Sequence, residues 1–409
     1  MSTTTILENA AVLDPVEGTL TPDRHVVLRG GHVAEVAEGR PFKGETHRID
    51  VRGRTVMPGL IDAHVHVTAF TANFAELARS SPTYVSAQAA AIMSGMLARG
   101  FTTVRDVGGA DFGLARAVEE GLIRGPRLFF CGKALSPTGG HGDVRGPGSE
   151  AHDAHYTQPG LGVIVDGVPE VRRAARAEIR RGAHHIKIMG GGGISSPTDR
   201  ITSDQFSEEE IAAAVEEAAM ANIYVAVHAY TARSIERCVR LGVRSIEHGN
   251  LATEETVALM KERGAFLVPT LAIFRALVEE GVAAGLPEEL VGKTYEVLDA
   301  GIRAVELAHR AGVPMAYGTD LLGRMHARQL DEFRLRAEVV PPVDLVRAAT
   351  VNGARLVQRE NELGRVAPGF RADLIVLDGN PLEDIGALAD PQRPPRLVIK
   401  DGEVRVDLA

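Results

Sequence analysis

Short apolar runs separated by Gly, Pro and Asp occupy both ends of the chain. Runs of this length bounded by turn residues are typical of β-strands. They lie at 5–7, 25–29, 32–36 and 47–51 near the N-terminus, and at 372–377, 396–400 and 403–408 near the C-terminus. Neither end alone holds enough strands to bury a core. The pattern therefore predicts one small β-sandwich domain built from both chain termini, residues 1–58 together with 360–409.

The middle of the chain alternates between strand-like runs and segments with helical periodicity. The strand-like runs are 60–67, 102–107, 127–132, 185–190, 224–229, 245–249, 266–270 and 315–320, and helical segments include 82–99, 207–221, 231–241 and 254–263. Ser207 followed by Glu210 is a capping box, which marks the start of one helix. Eight such alternations predict an α/β fold, a (β/α)8 TIM barrel over residues 59–359, with a doubly wound open sheet as the alternative.

One connection inside this alternation is unusually long. It runs from Lys133 to Val168 and is rich in Gly and Pro. A loop of more than about 15 residues inside a compact domain is usually functional. We therefore expect it to form a lid or a wall of a binding site.

Composition narrows the class of protein. The 409 residues carry a formal net charge of −9 and include 14 histidines but only two cysteines, Cys131 and Cys238. An acidic chain is a poor ligand for nucleic acid, and two cysteines cannot form a disulfide framework. No signal peptide or membrane-spanning run is visible. We expect a cytoplasmic protein with buried thiols, no nucleic-acid or membrane partner, and a homo-oligomeric state.

His64 and His66 lie two residues apart in the first predicted barrel strand. Side chains at i and i+2 of a strand point to the same face, so both imidazoles can reach one metal ion. Because the chain has 14 histidines, such a pair also arises by chance. Two histidines satisfied in a polar layer of the barrel are the competing interpretation.

Three more polar residues end other predicted strands. His228 and His248 follow the fifth and sixth runs, and Asp320 ends the eighth. The carboxyl ends of barrel strands form the face where active sites of this fold lie. Each residue alone is compatible with a structural role, but their shared position indicates one site.

Lys187 lies inside an apolar strand between Ile186 and Ile188. Burying an ammonium group is costly, so such a lysine needs a partner or a modification. One interpretation is an ion-paired lysine near the strand end. The other is a lysine carbamylated by CO₂, which replaces the cation by a carboxylate able to bridge two metal ions.

Together these residues resemble the amidohydrolase superfamily. The resemblance rests on the His64-x-His66 motif after 58–62, on the strand positions of the other polar residues, and on the tail segments 363–369 and 372–378. Segments 138–143, 187–193 and 228–230 are similar to the branch that holds Xaa-Pro and Xaa-Arg dipeptidases and imidazolonepropionase-like amidohydrolases. The resemblance covers nearly the whole chain.

The resemblance implies a ligand set for two divalent metal ions. His64, His66 and Asp320 would hold the more buried ion, His228 and His248 the second, and carbamylated Lys187 would bridge them. Zinc is the first expectation, although imidazole and carboxylate ligands also suit Mn, Co and Fe. No ligand position is substituted, which disfavours a non-catalytic metal-binding scaffold.

The expected chemistry is hydrolysis of a peptide or amide bond. Two ions about 3.5–4 Å apart can share a water and lower its pKa. The resulting metal-bridging hydroxide attacks the carbonyl carbon, and Asp320 serves as general base and then general acid toward the leaving amine. His141 and Tyr230 are candidate donors to the developing oxyanion, and the branch resemblance supports both.

The expected substrate is a small molecule or dipeptide such as Xaa-Pro, or an N-acyl amino acid. Its free carboxylate suits an arginine, and Arg200, Arg275 and Arg324 follow barrel strands. His326 lies in a loop that we expect to border the site. An alternative is hydrolysis of a cyclic amide, imidazolone, ester or carbamate.

A mononuclear deaminase on the same fold is a further alternative. Deaminases of the family carry a glutamate after the fifth strand, whereas Ala229 and Tyr230 follow His228 here. The resemblance therefore disfavours deamination.

Overall fold

The computed structural model describes residues 4–39, 46–145 and 158–408. The strands are β1 (Thr5–Asp14), β2 (Thr19–Arg29), β3 (His32–Glu38), β4 (His47–Asp50), β5 (Thr55–Pro58), β6 (Leu60–Val65), β7 (Phe101–Asp106), β8 (Arg127–Phe130), β9 (Ala134–Ser136), β10 (Gly162–Ile164), β11 (His185–Met189), β12 (Tyr224–Thr231), β13 (Ser245–Leu251), β14 (Phe266–Val268), β15 (Leu374–Leu377), β16 (Leu397–Lys400) and β17 (Glu403–Asp407). The α-helices are α1 (Phe74–Arg79), α2 (Pro82–Ala98), α3 (Phe112–Glu119), α4 (Val168–Arg180), α5 (Glu208–Met220), α6 (Ala232–Arg240), α7 (Glu254–Arg263), α8 (Leu271–Glu280), α9 (Val291–Ala311), α10 (Asp331–Arg336), α11 (Pro342–Ala348), α12 (Val351–Leu356) and α13 (Gly386–Ala389).

The two ends of the chain share one β-sheet. Its eight strands follow the order β17-β16-β15-β5-β1-β2-β3, with β4 paired to β1. The junction is the antiparallel pair β5–β15, in which Val56 lies opposite Val376. Valine, isoleucine and leucine side chains from both ends form one buried cluster on this sheet. A β layer built from both ends is therefore present, whereas its two-layer form as a sandwich and the exact domain bounds stay predictions.

Parallel strands of the middle region close into a ring. One sheet has the order β6-β7-β8, and another contains β11-β12-β13-β14. His184 N donates to Phe130 O at 2.9 Å, which links β8 to the start of β11. The remaining gap is filled by residues 315–320. Ala316 N donates to Leu267 O at 3.0 Å and Ala63 N donates to Tyr317 O at 2.7 Å. The structure thus agrees with the predicted TIM barrel, and not with an open sheet.

The eighth predicted strand is irregular. Within 315–320 only Met315 forms a bridge of the β type, to Leu267. A Cβ atom on Gly318 would lie 2.9 Å from His64 Cβ, and Asp320 has a left-handed backbone with φ of 56°. Close approach to His64 followed by this turn interrupts the regular ladder, so the expectation of a regular strand here is wrong.

Three further features of the fold can be compared with the sequence predictions. Helix α5 begins with the predicted capping box of Ser207 and Glu210. The long connection 133–168 contains two short strands, β9 and β10, which the sequence pattern did not predict. Among the described residues, none of the helices combines the length and the apolar character that crossing a lipid bilayer requires.

Candidate active site

A pocket of about 970 Å³ lies at the carboxyl ends of the barrel strands. The pocket is lined by all the residues predicted from the sequence as metal ligands or oxyanion donors: His64, His66, His141, Lys187, His228, Tyr230, His248 and Asp320. The described arms of the long connection also line it, through Thr138–Arg145 residues on one side and Gln158–Ile164 residues on the other. The connection therefore forms a wall of the pocket. Its residues 146–157 lie outside the described part of the chain.

His64, His66 and Asp320 converge on one point. The Nε2 atoms of His64 and His66 lie 3.3 Å and 3.2 Å from the same Asp320 Oδ1 atom. One ligand atom from each residue fits within a group no wider than 4.8 Å. Although burial raises the pKa of a carboxyl group, the two imidazoles hold the pKa of Asp320 well below its usual value. The triad is thus an ionised carboxylate facing two imidazole nitrogens.

The other ring nitrogen of His64 and of His66, Nδ1, contacts a group that does not line the pocket. His64 Nδ1 lies 2.7 Å from Glu247 Oε2, and His66 Nδ1 lies 2.8 Å from Gly108 O. Since a carbonyl or carboxylate can only accept, Nδ1 of each ring carries a proton, and the neutral ring would have its lone pair on Nε2. Glu247 is itself bound by Arg105 Nη2 at 2.8 Å and 2.9 Å. This is the tautomer that a metal ligand requires.

One ring nitrogen of His228 and one of His248 also contact an oxygen of the surrounding structure. His228 Nε2 donates to Gly192 O at 3.0 Å, and His248 Nδ1 lies 2.7 Å from Thr270 Oγ1. Their ring centroids are 4.6 Å apart, and that of His64 is 5.0 Å from that of His248. Burial lowers the pKa of both residues well below the usual value, so both rings are neutral.

Backbone strain is concentrated at this site. His248, Asp320 and Thr270 have φ values of 74°, 56° and 49°. The left-handed region is unfavourable for residues with a Cβ atom, most of all for a β-branched threonine. Such strain is retained where the surrounding structure imposes it, and it clusters at functional sites.

Lys187 lies on β11 with 2% of its surface exposed. Among the described residues, its Nζ atom has one hydrogen-bond partner, Met189 Sδ at 3.7 Å, and no carboxylate within ion-pair distance. Burial lowers the pKa of this lysine to about 8. The interpretation as an ion-paired lysine at a strand end therefore does not fit, and a partly neutral amine faces the pocket.

His141 and Tyr230 flank His228. The His141 ring stacks on the His228 ring with centroids 4.2 Å apart, and the Tyr230 ring meets His228 edge-on at 4.7 Å. Burial lowers the pKa of His141 to about 4 and raises the pKa of Tyr230 well above its usual value. The tyrosine therefore remains a neutral O–H donor at the pocket wall.

The arginines proposed from sequence do not line the pocket. Arg324 instead pairs with Glu280 at 3.1 Å, and Arg200 and Arg275 are exposed elsewhere. Three other arginines line the pocket: Arg79, Arg145 and Arg173. His326 is also not part of the pocket lining. It is buried and its Nε2 donates to Ala69 O at 3.1 Å.

Residues that hold the site were missed at the sequence level. Arg105 and Glu247 lie in apolar strands, and their opposite charges in two buried runs were a signal for a pair inside the barrel. Thr270, Ser196 and Asp199 lie in irregular segments, where no periodicity indicates the direction of a side chain. Cys131 and Cys238 are buried free thiols, as expected.

The donor set fits divalent metal ions. Three ligand atoms of His64, His66 and Asp320 converge, and the Nδ1 contacts of the two histidines leave Nε2 as the nitrogen available to a metal ion. His228 and His248 supply two further nitrogen donors, so a second ion would need another ligand. A carbamate on Lys187 would provide an oxygen there. Imidazole and carboxylate ligands suit Zn, Mn, Co and Fe.

Comparison with known proteins agrees with this chemistry. A family model described as "Amidohydrolase family" matches residues 55–405. Ochratoxinase from Aspergillus niger is 35% identical over 361 residues, covering 85% of this chain and 74% of that protein. The structure of a prolidase complexed with N-methylphosphonate-L-proline is 48% identical with a TM-score of 0.96, covering 98% of this chain and 99% of the other. A Xaa-Pro dipeptidase with bound methionine is 30% identical with a TM-score of 0.88, covering 98% and 99%.

Proposed function

The chain belongs to the amidohydrolase family, and it is a hydrolase acting on amide bonds; from this we propose that it is a dipeptidase that uses two divalent metal ions. His64, His66 and Asp320 would hold one ion, and His228 and His248 the other. Carbamylated Lys187 would bridge the two. Zinc is the first metal to test, since it suits nitrogen and oxygen donors in low coordination number.

The convergence of His64, His66 and Asp320 carries the proposal. Their three ligand atoms meet at the end of the barrel where the fold places its chemistry. The Nδ1 contact of each imidazole selects the neutral tautomer whose inward nitrogen can bind a metal ion. Although burial opposes it, Asp320 and Glu247 raise the pKa of His64, so a proton links this imidazole to Asp320, and a divalent ion would take the place of that proton.

Bound divalent ions supply Lewis acidity, which lowers the pKa of a water and polarises a carbonyl oxygen. Hydrolysis then forms a bond between the water oxygen and the carbonyl carbon, breaks the C–N bond, and moves one water proton to the leaving nitrogen. The ionised Asp320 carboxylate can accept that proton and return it to the amine. Tyr230 keeps its O–H at neutral pH and can donate to the oxygen that becomes negative.

A dipeptide ending in proline is the substrate class that we favour. The prolidase that shares 48% identity was solved with a phosphonate analogue carrying L-proline, and the 30% identical relative is a Xaa-Pro dipeptidase. The lining of the pocket divides into polar site residues and apolar residues such as Ile273, Phe274 and Leu277. That division suits a peptide bond beside a compact apolar ring.

The test is a substrate screen on the purified full chain. Xaa-Pro dipeptides should be hydrolysed, the reversed Pro-Xaa dipeptides should not, and exhaustive chelation should abolish turnover that added divalent metal restores. Asp320→Asn should lower kcat by about 100-fold or more, since it removes both a ligand and the proton carrier. Turnover that survives complete metal removal, or that is absent for every amide, would refute the proposal.

Ochratoxin is a second substrate to include. The ochratoxinase relative is 35% identical over most of this chain. The pocket of about 970 Å³ with its apolar wall has room for a bulky apolar acyl group. N-acyl amino acids of increasing acyl size therefore belong in the same screen, and a preference for the large ones would favour this second function.

A further inference from the structure

The segment that follows β11 contains an acidic residue with an unusual number of donors. Asp199 has only 3% of its side chain exposed. Its Oδ2 accepts from Gly193 N at 3.1 Å and from Gln205 Nε2 at 2.8 Å. Its Oδ1 accepts from the Ser196 hydroxyl in a short contact and from Lys293 Nζ at 3.2 Å. Four donors around one buried carboxylate make it a rigid centre rather than a solvated loop residue.

Two of those donors also contact His141, one at the ring and one at the backbone. Ser196 Oγ lies 2.9 Å from His141 Nδ1. Gln205 Oε1 accepts from His141 N at 2.9 Å. Ser196 and Gln205 are both buried, with 0% and 5% of their surface exposed. Asp199 is therefore connected to His141 by two separate bridges.

Lys293 fixes this centre from a distant helix. It lies in the first turn of α9, and its Nζ donates to the carbonyl oxygens of Gly193, Ser196 and Asp199 at 3.0, 2.8 and 2.8 Å. Gly193 is needed for the close approach of the His141 ring, because a Cβ atom there would lie 2.0 Å from His141 Nδ1. The ring is thus confined between the 190–200 segment and His228.

The direction of the hydrogen bonds follows from what each group can do. Two oxygens in the short contact between Ser196 Oγ and Asp199 Oδ1 repel each other unless a proton lies between them, and only the hydroxyl has one. The serine oxygen then has lone pairs left for His141 Nδ1, which must be the donor. The neutral ring therefore carries its proton on Nδ1 and has a lone pair on Nε2.

We propose that Asp199, acting through Ser196 and Gln205 and held by Lys293, positions His141 and fixes its ring tautomer so that Nε2 presents an acceptor to the substrate pocket. These four are positioning residues that do not line the pocket themselves. His141 is then an acceptor and not the oxyanion donor expected from the sequence, whereas Tyr230 keeps the donor role, so the two groups beside His228 have complementary roles. The relevance to turnover rests on the proposed function, whereas the tautomer does not.

The test is the tautomer of His141 in the metal-loaded full chain, read from long-range ¹H–¹⁵N correlations of ring-labelled histidine. The His141 signals are identified by their loss in His141→Gln. We expect the Nδ1–H form in the wild type. Ser196→Ala should abolish this preference, and so should Asp199→Asn, because a carboxamide has one accepting oxygen for four donors. Thr198→Ala, which removes an exposed hydroxyl from the same segment, is the matched control and should leave the tautomer unchanged.

Kinetics provide the second readout. Ser196→Ala should lower kcat by about tenfold or more with little change in KM, and with unchanged metal content and melting temperature. A wild-type His141 in the Nε2–H form overturns the inference, and this result needs no variant to fold. An unchanged tautomer and an unchanged kcat in Ser196→Ala overturn it as well. A wild-type chain that hydrolyses no amide but shows the Nδ1–H form refutes the proposed function alone.

Discussion

Lys187 has surroundings that a permanent cation would not tolerate. It is buried on β11 and has no carboxylate within ion-pair distance in the part of the chain that the structure describes, and burial lowers its pKa to about 8. The neutral amine is the form that reacts with CO₂, so this environment favours carbamylation near neutral pH. A substitution of Lys187 therefore tests the proposed two-metal site directly.

We expect Lys187→Ala to lose hydrolysis by about 100-fold or more, because the second ion loses its third ligand. A short carboxylic acid such as acetate or propionate should restore part of the activity by occupying the position of the carbamate. The measurement is kcat together with metal content, with and without the added acid. Lys261→Ala, which changes an exposed lysine on α7, is the control and should behave as wild type. Full activity in Lys187→Ala without added acid would contradict the assignment.

His326 has a structural role with a pH signature. Burial lowers its pKa to about 4 from a usual value of 6.5. As the pH falls from 6.5 toward 4, the unfolded chain binds a proton that the folded chain does not, so stability present above pH 6.5 is lost in that window. His326→Gln can still donate to Ala69 O and does not titrate. Between pH 7 and pH 4 the wild type should lose about 2–3 kcal/mol more unfolding free energy than the variant, measured by urea denaturation. Equal losses would show that this histidine does not contribute.

Sequence alone indicated the residues that converge in the pocket but not the residues that orient them. His64, His66 and Asp320 lie at strand ends, where periodicity and fold fix the direction of a side chain. Arg200, Arg275 and Arg324 were chosen by the same rule and fail, because a loop after a strand has no fixed direction. Glu247 could have been found from its charge in a buried run, and Asp199 could not.

At the scale of elements, the irregular segment 315–320 shows how the barrel makes room for its site. Gly318 packs directly against His64, and the left-handed Asp320 then turns its carboxylate toward both imidazoles. A regular strand would continue the ladder and point this residue elsewhere. The apolar pattern of the segment predicted its place in the barrel, but pattern does not encode the close approach that breaks the ladder.

Gly318→Ala tests whether the close packing of residue 318 against His64 shapes the site. A Cβ atom would lie 2.3 Å from Val268 Cγ1 and 2.9 Å from His64 Cβ, so either the segment or His64 must move. We expect a loss of about 1–3 kcal/mol in stability and weaker metal retention during dialysis. Gly292→Ala on α9 is the matched control, since nothing lies within 4 Å of its added Cβ. Metal retention equal to wild type in Gly318→Ala would contradict the role given to this glycine.

At the scale of the whole molecule, ion pairs connect the terminal sheet to the barrel. Arg127 on β8 donates to Asp373 Oδ2 at 3.2 Å and to Asp401 Oδ1 at 2.6 Å, and both acids belong to the C-terminal part of the chain. Asp373 is buried, so its charge needs this partner. The two ends of the chain therefore meet each other in one sheet and meet the barrel at β8.

Arg127→Met should lower the free energy of unfolding by about 1–2 kcal/mol, because it leaves a buried carboxylate without its charged donor. The kcat should stay at the wild-type value, since Arg127 does not line the pocket. Thermal and urea unfolding measure the first and a steady-state assay the second. The control is Arg116→Met, which removes an exposed pair with Glu120 and should change stability by less than about 0.5 kcal/mol. Equal stability of the two variants would contradict the role given to the ion pairs of Arg127.

The alternation of apolar runs predicted the barrel because each strand of a parallel sheet is buried on both faces and reads as a continuous run. The joining of both ends was also predictable, since neither end could bury a core alone. The pairing of β5 with β15 was not, because register between distant strands depends on the whole sheet. The oligomeric state and cellular location stay predictions.

A two-metal site is tested most directly by a metal titration of the metal-free full chain, followed by hydrolysis of a Xaa-Pro dipeptide in bicarbonate-containing buffer. We expect activity to rise to its plateau at two equivalents of divalent metal per chain, and bound metal measured on the same samples to reach two. A plateau at one equivalent with one bound ion, or full activity before any metal is added, would contradict the two-metal site.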